Sequence, residues 1–112
     1  MYAQLTYFDG PRTPQQLAAA EFAGRERILP AVSKLGHSFR VYLLQRQDGS
    51  EVVVSIADSE QALLDAQKAI MGAELLPGED PALLPGPDRI ELYPILDTFE
   101  INGSARPAGI GS

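Results

Sequence analysis

Residues 38–57 read SFRVYLLQRQDGSEVVVSIA. Two runs rich in β-branched and aromatic side chains, Ser38 to Arg46 and Glu51 to Ala57, flank Gln47-Asp48-Gly49-Ser50. An Asp-Gly pair between two such runs is a hairpin signal, because the tight turn needs a residue free to take positive φ. The position of this hairpin decides the fold. A strand and a helix precede it, and a helix and a strand follow it.

Upstream, Tyr2 to Phe8 alternates at period two and stops at Asp9-Gly10-Pro11, which reads as a strand and its turn. Thr13-Pro14-Gln15-Gln16 supplies a capping hydroxyl, a proline at the first helical position and a glutamine three residues after the cap. The helix it opens should run to about Leu35, where Gly36 is a stop. Its inner stripe is Leu17, Ala20, Gly24, Ile28, Ala31, Val32 and Leu35. Pro30 lacks an amide and crowds the carbonyl of Glu26, so a kink or break is expected near Glu26 to Leu29. Phe22 and Leu29, with Ala18, form a second apolar edge that something else should cover.

Downstream, Asp58 or Ser59 caps a second helix with Ala62, Leu63, Ala66, Ala69 and Ile70 at helical spacing up to Gly72. Arg89 to Ile101 then resumes strand character, and Pro94 within it points to an edge strand or a break. The order β-α-β-β-α-β is the ferredoxin-like split plan, an α+β fold with one antiparallel four-stranded sheet and both helices on one face.

Parity assigns Ala3, Leu5, Tyr7, Phe39, Val41, Leu43, Val52, Val54, Ile56, Ile90 and Leu92 to the floor under the helices. It leaves Tyr2, Gln4, Thr6, Phe8, Arg40, Tyr42, Leu44, Val53, Ser55, Tyr93 and Ile95 on the bare side. That side is too apolar for water, and the economical cover is a second copy in a two-fold homodimer, sheet on sheet.

Between the second helix and the last strand stands GAELLPGEDPALLPGPD, residues 72–88, in which LLPG occurs twice. Compact units close this junction in about 2–6 residues, so the stretch is an insert. Its leucines are expected to give structural cover rather than a moving lid, since proline stiffens the loop. The division of the chain is then a domain over residues 1–101 carrying the insert at 72–88, and a flexible tail over 102–112.

Composition narrows the chemistry. The chain has 112 residues, no cysteine, one histidine and a formal net charge of −6 without a basic cluster. A length of one ordinary domain implies a thin core that a partner subunit would help. No thiolate ligand or nucleophile is present, so zinc and iron sites are disfavoured and no metal or other cofactor is expected. The acidic balance disfavours nucleic acid. With no leader and no long apolar run, the expectation is a cytoplasmic protein that is not inserted in a membrane and whose ligand is small and largely apolar.

The start MYAQLTYF, the helix ending Ile28-Leu29-Pro30-Ala31-Val32, the hairpin YLLQRQDGSEVVVSI and the helix opening Asp58-Ser59-Glu60-Gln61-Ala62 together resemble the dimeric α/β-barrel proteins of the antibiotic biosynthesis monooxygenase type. The resemblance covers residues 2–71 and 89–101. It implies a homodimer of facing sheets, a ligand pocket between sheet and helices, and cofactor-independent oxygenation of a small apolar aromatic or polyketide-like molecule. The alternative is a non-catalytic homodimer that binds a small ligand or a partner protein on the same fold. Haem degradation is disfavoured: that branch uses a tryptophan, an asparagine and a helical histidine, whereas this chain has no tryptophan, its one asparagine is Asn102, and His37 follows the helix stop.

The candidate catalytic groups are Tyr7, Tyr42 and His37. The tyrosine hydroxyls can orient a phenol or carbonyl, and the imidazole can serve as a base. Arg40 can hold an anionic oxygen, and Tyr93, Phe22 and Leu29 are candidates for binding the ligand. A half-buried strand tyrosine is more often packing, and Glu21, Arg25 and Glu26 read as a solvated helix face.

Overall fold

The computed structural model describes residues 1–103. Its elements are β1 (Tyr2–Phe8), α1 (Pro14–Ala23), a π-helical turn (Gly24–Ile28), α2 (Leu29–Ser33), β2 (Phe39–Gln45), β3 (Glu51–Ala57), α3 (Glu60–Gly72), a 3-10 turn (Pro81–Leu83) and β4 (Arg89–Pro94). The strands form one antiparallel sheet in the order β2-β3-β1-β4. The segments α1, π turn and α2 run on as a single interrupted helix, and α3 is the second. This is the expected α+β, ferredoxin-like arrangement. Among the described residues no helix is long and apolar enough to cross a membrane.

The local rules account for the element ends. Thr13 Oγ1 accepts from the Gln16 amide at 3.1 Å while Gln16 Oε1 accepts from the Thr13 amide at 2.9 Å, closing the capping box. The disturbance caused by Pro30 takes the form of the π turn, in which the Leu29 amide reaches back five residues to Gly24 O. One wider turn lets the helix restart with Pro30 in its first turn, where no amide is required. Gly36, at φ 77°, ends it. Ser59 caps α3, its Oγ accepting from Ala62 N at 3.1 Å.

The hairpin loop is fastened from two sides. Asp48 Oδ1 accepts from the Ser50 hydroxyl at 2.7 Å and the Ser50 amide at 2.9 Å, and these bonds hold its carboxyl below the usual aspartate range. Arg12 reaches over from the β1–α1 connection: its amide donates to Asp48 O, its Nε to Gly49 O, and its Nη2 pairs with Glu51 at 2.7 Å.

Two expectations need correction. Cross-strand partners share a face, and the register pairs Ala3 with Ile56, Leu5 with Val54 and Tyr7 with Val52, while β2 meets β3 as Arg40–Ile56, Tyr42–Val54 and Leu44–Val52. The apolar parity of β1 and β3 therefore lies with Arg40, Tyr42 and Leu44, not with Phe39, Val41 and Leu43. The core settles which side carries the helices: Ala57, Ala62 and Leu63 are buried against Tyr2, Phe39 and Leu92. Hence Ala3, Leu5, Tyr7, Val52, Val54 and Ile56 face away from the helices, and Tyr2, Gln4, Thr6, Phe8, Val53 and Ser55 face them. Parity is a property of one strand; the relation between strands is set by loop length and register.

The second correction concerns the last strand, which ends at Pro94 rather than Ile101. Pro94 stands opposite Tyr2, the first residue of β1, and only one more bond, Ile95 N to Met1 O at 2.8 Å, can follow because the neighbouring strand has run out. Residues 95–103 lie outside the sheet. The part of the expected tail from residue 104 onward falls outside the described residues.

The core is thin: among the described residues Ala23, Ala57, Ala62, Leu63 and Ala66 are its buried apolar residues, and Leu63 is the one large side chain fully enclosed. Alanine on both sides lets α3 approach β3 and β1 closely.

Candidate functional site

The open face of the sheet groups the expected tyrosines. Tyr7 on β1, Tyr42 on β2 and Tyr93 on β4 share it with Arg40, around an apolar centre of Ala3, Leu5, Val52, Val54 and Ile56. Tyr7 has the closest neighbours: the Arg89 guanidinium lies 3.7 Å from its ring centroid, and Arg89 Nη1 is 3.4 Å from Glu91. Burial first, then hydrogen bonding and charge from Glu91, raise the Tyr7 phenol above its ordinary value against the opposing pull of Arg89. Tyr42 is 46% exposed and lies two strands away from β1, about 10 Å by strand spacing.

His37 does not join them. It stands at the other end of the helix–sheet layer, Nε2 3.4 Å from Asp65 Oδ2 on α3, with its ring edge-on to Phe39 at 6.1 Å. The carboxyl of Asp65 is lowered by the Gln61 side chain first and by His37 after it. Sequence distance hides this acid partner, since 28 residues separate the two. Phe22 and Leu29 remain 40% and 56% exposed, so the second helix edge is left uncovered.

The insert docks elsewhere on the same helix. Arg27 Nε donates to Glu79 Oε2 at 2.7 Å, the Leu76 amide donates to the same oxygen at 2.8 Å, and the Glu79 side chain is 2% exposed. The 3-10 turn of the insert lies against α1. Leu76, Leu83 and Leu84 are half-buried, while Leu75 is exposed.

A cleft opens on the helix side. α3 packs on β3 and β1 at the Tyr2–Ala57–Phe39 end of the sheet, whereas the main neighbours of α1 are the π turn and the insert. Toward the helices the central strands present half-buried Gln4, Thr6 and Ser55 together with Val53. What remains is a space of about 390 Å³. Leu17, Ala18 and Ala20 of α1 wall it on one side and Leu43 of β2 on the other, with Arg12, Glu21, Gln45 and Glu51 supplying polar groups. Arg12 is the residue that sequence reading passed over. Its signal was weak: one arginine in a turn, whose partners at residues 48–51 appear only once the hairpin folds back.

None of Tyr7, Tyr42, Tyr93, Arg40, His37, Phe22 or Leu29 lines this cleft. The molecule thus has two surfaces of interest, on opposite faces of one sheet. Neither a family model nor a curated protein matches this chain.

Proposed function

We propose that the protein is a homodimer that binds a small, largely apolar molecule in the cleft between α1 and the sheet. The observation that carries this reading is a cleft of about 390 Å³ between α1 and β2, lined by Leu17, Ala18, Ala20 and Leu43 together with Arg12, Glu21, Gln45 and Glu51. That volume suits a small-molecule site. Gln45 and the Arg12–Glu51 pair give the ligand a polar end to meet, and Leu17, Ala20 and Leu43 take its apolar body.

The dimer is supported by the open face of the sheet, which is apolar at its centre, carries no helix among the described residues and is the part that a second sheet would cover. Naphthol fluorescence titration tests the ligand reading. Saturable binding is expected, and Ala20→Phe, which fills the space, is expected to abolish it while the circular dichroism spectrum stays unchanged. No saturable binding by naphthol or by a panel of related phenols would sink the proposal.

A second reading is cofactor-independent oxygenation of a phenol, which the resemblance to the monooxygenase type implies. The grouping of Tyr7, Tyr42, Tyr93 and Arg40 on the face that dimerisation would enclose favours it. Oxygen uptake with a turned-over phenol is then expected to fall about 10²-fold in Tyr7→Phe or Tyr42→Phe. Undiminished turnover in both variants would assign those tyrosines to packing.

A further inference from the structure

The polar lining of the cleft is lopsided. Its charged groups are Arg12, Glu21 and Glu51, one cation against two carboxylates, and its amide is that of Gln45. The cation is already matched. Arg12 Nε donates to Gly49 O at 2.8 Å, Nη2 pairs with Glu51 Oε1 at 2.7 Å, the guanidinium lies 5.1 Å from the centre of the Phe8 ring, and the side chain is 10% exposed.

The acceptors are not matched. Glu51 Oε1 takes both Arg12 Nη2 and Gln45 Nε2, the latter at 3.0 Å, while among the described residues Glu51 Oε2 receives no donor. An ionised carboxylate only accepts, so the Gln45 amide turns its NH2 group to Glu51 and its carbonyl oxygen is left over. On the α1 wall, Glu21 pairs with Arg25 at 3.5 Å, but these side chains are 73% and 59% exposed, so water screens the pair. Arg25 lies outside the lining. The spare capacity is thus acceptor oxygen with an excess of negative charge, set beside the apolar Leu17, Ala20 and Leu43. The net charge of −6 over the whole chain works in the same direction.

We infer that the cleft selects an organic cation, a primary ammonium on an apolar ring-sized body. Its N–H groups meet acceptors among Gln45 Oε1, Glu51 Oε2 and the Glu21 carboxylate, and its hydrocarbon lies on Leu17, Ala20 and Leu43. This preference rests on the cleft being the ligand site, and adds the sign of the ligand's charge. A protonated amine has donors and no acceptor, which complements the lining. A carboxylate end meets lone pairs and uncompensated negative charge, and is rejected by repulsion.

Naphthylmethylamine, naphthylmethanol and naphthoate carry the same ring with an ammonium, a hydroxyl or a carboxylate on one carbon. Fluorescence titrations at pH 7 are expected to rank them in that order, with the ammonium about tenfold tighter than the alcohol, the margin of a charge-assisted hydrogen bond over a neutral one. Glu21→Gln, an exposed change that leaves the hairpin contacts in place, is expected to narrow the ammonium-to-alcohol ratio about threefold, and added salt to narrow it in the parent protein. Naphthoate binding as tightly as the amine, or an ammonium-to-alcohol ratio near unity, overturns the cationic preference. A ratio moved neither by Glu21→Gln nor by salt overturns its electrostatic origin. Amine binding that survives Ala20→Phe puts the cation elsewhere and overturns it too. If the alcohol binds and Ala20→Phe abolishes that binding while the amine is no tighter, the ligand reading of the cleft stands and the charge preference alone falls. If neither naphthol nor any of the three binds, both fall.

Discussion

Gly49 shows how much one position can carry. Its φ is +91°, and a Cβ there would meet the backbone N and O of Arg12 at 3.0 Å. Gly49→Ala therefore meets both a strained dihedral and a rigid obstacle, and is expected to destabilise the fold by about 1–3 kcal/mol in urea titrations. Glu79 is a second such position. Its carboxyl lies below the usual glutamate value, held there first by Arg27 and then by the Leu76 amide. Stability from this group is complete above the unfolded-state pKa and is lost as pH falls through the lower folded value. Melting temperatures followed from pH 7 down to pH 3 should show Glu79→Gln less stable at the neutral end, with the gap to the parent protein closing toward the acid end. A constant gap would mean that packing, not the charged bond, holds the insert. Neither partner of Glu79 was legible in the sequence, since Arg27 sits 52 residues away on an otherwise solvated helix.

Among the elements, those written in local chemistry were readable. The Thr13 capping box, the Asp48-Gly49 hairpin, the Ser59 cap and the Gly36 stop each name their own position, and β1, β3 and the end of α3 fall where those signals put them. The facing of the central strands was not readable. Both parities of β1 contain aromatic residues, with Tyr7 on one and Tyr2 and Phe8 on the other, and only the register to β2 and β4 resolves them. The cleft went unforeseen because its polar groups Arg12, Gln45 and Glu51 come together only when the hairpin folds back against the β1–α1 connection. The insert was legible as a leucine-footed loop but not as one anchored by an ion pair. Its stability contribution follows from exposure: Leu76, Leu83 and Leu84 replaced together by serine should lower the melting temperature by several degrees, whereas Leu75→Ser should change it little, at 44% exposure. Equal effects would remove the docked description.

For the whole molecule, the thin alanine-rich core and the sheet face without helices make assembly the central question. Leu44 belongs to the open face and is 53% exposed within one chain, so a lysine there has water in the monomer but would meet a second sheet in the proposed dimer. Light scattering of the parent protein at micromolar concentration is expected to give twice the 12.1 kDa chain mass. Leu44→Lys should give a folded monomer, since an unpaired charge in an interface is strongly unfavourable. A monomeric parent protein would refute the pairing of sheets.

The free edge of β2 has one more consequence, for the chain before it finds a partner. Phe39–Gln45 is seven residues of high β propensity with neither proline nor glycine, and among the described residues its outer hydrogen-bonding row has no neighbour. Such a segment is a template for runaway strand addition into fibrils. Arg40 within it and Arg46 beside it are then gatekeepers, their like charges keeping newly made chains apart until a correctly oriented copy arrives. Thioflavin fluorescence of Arg40→Gln/Arg46→Gln protein, diluted from denaturant, should rise where that of the parent protein stays flat.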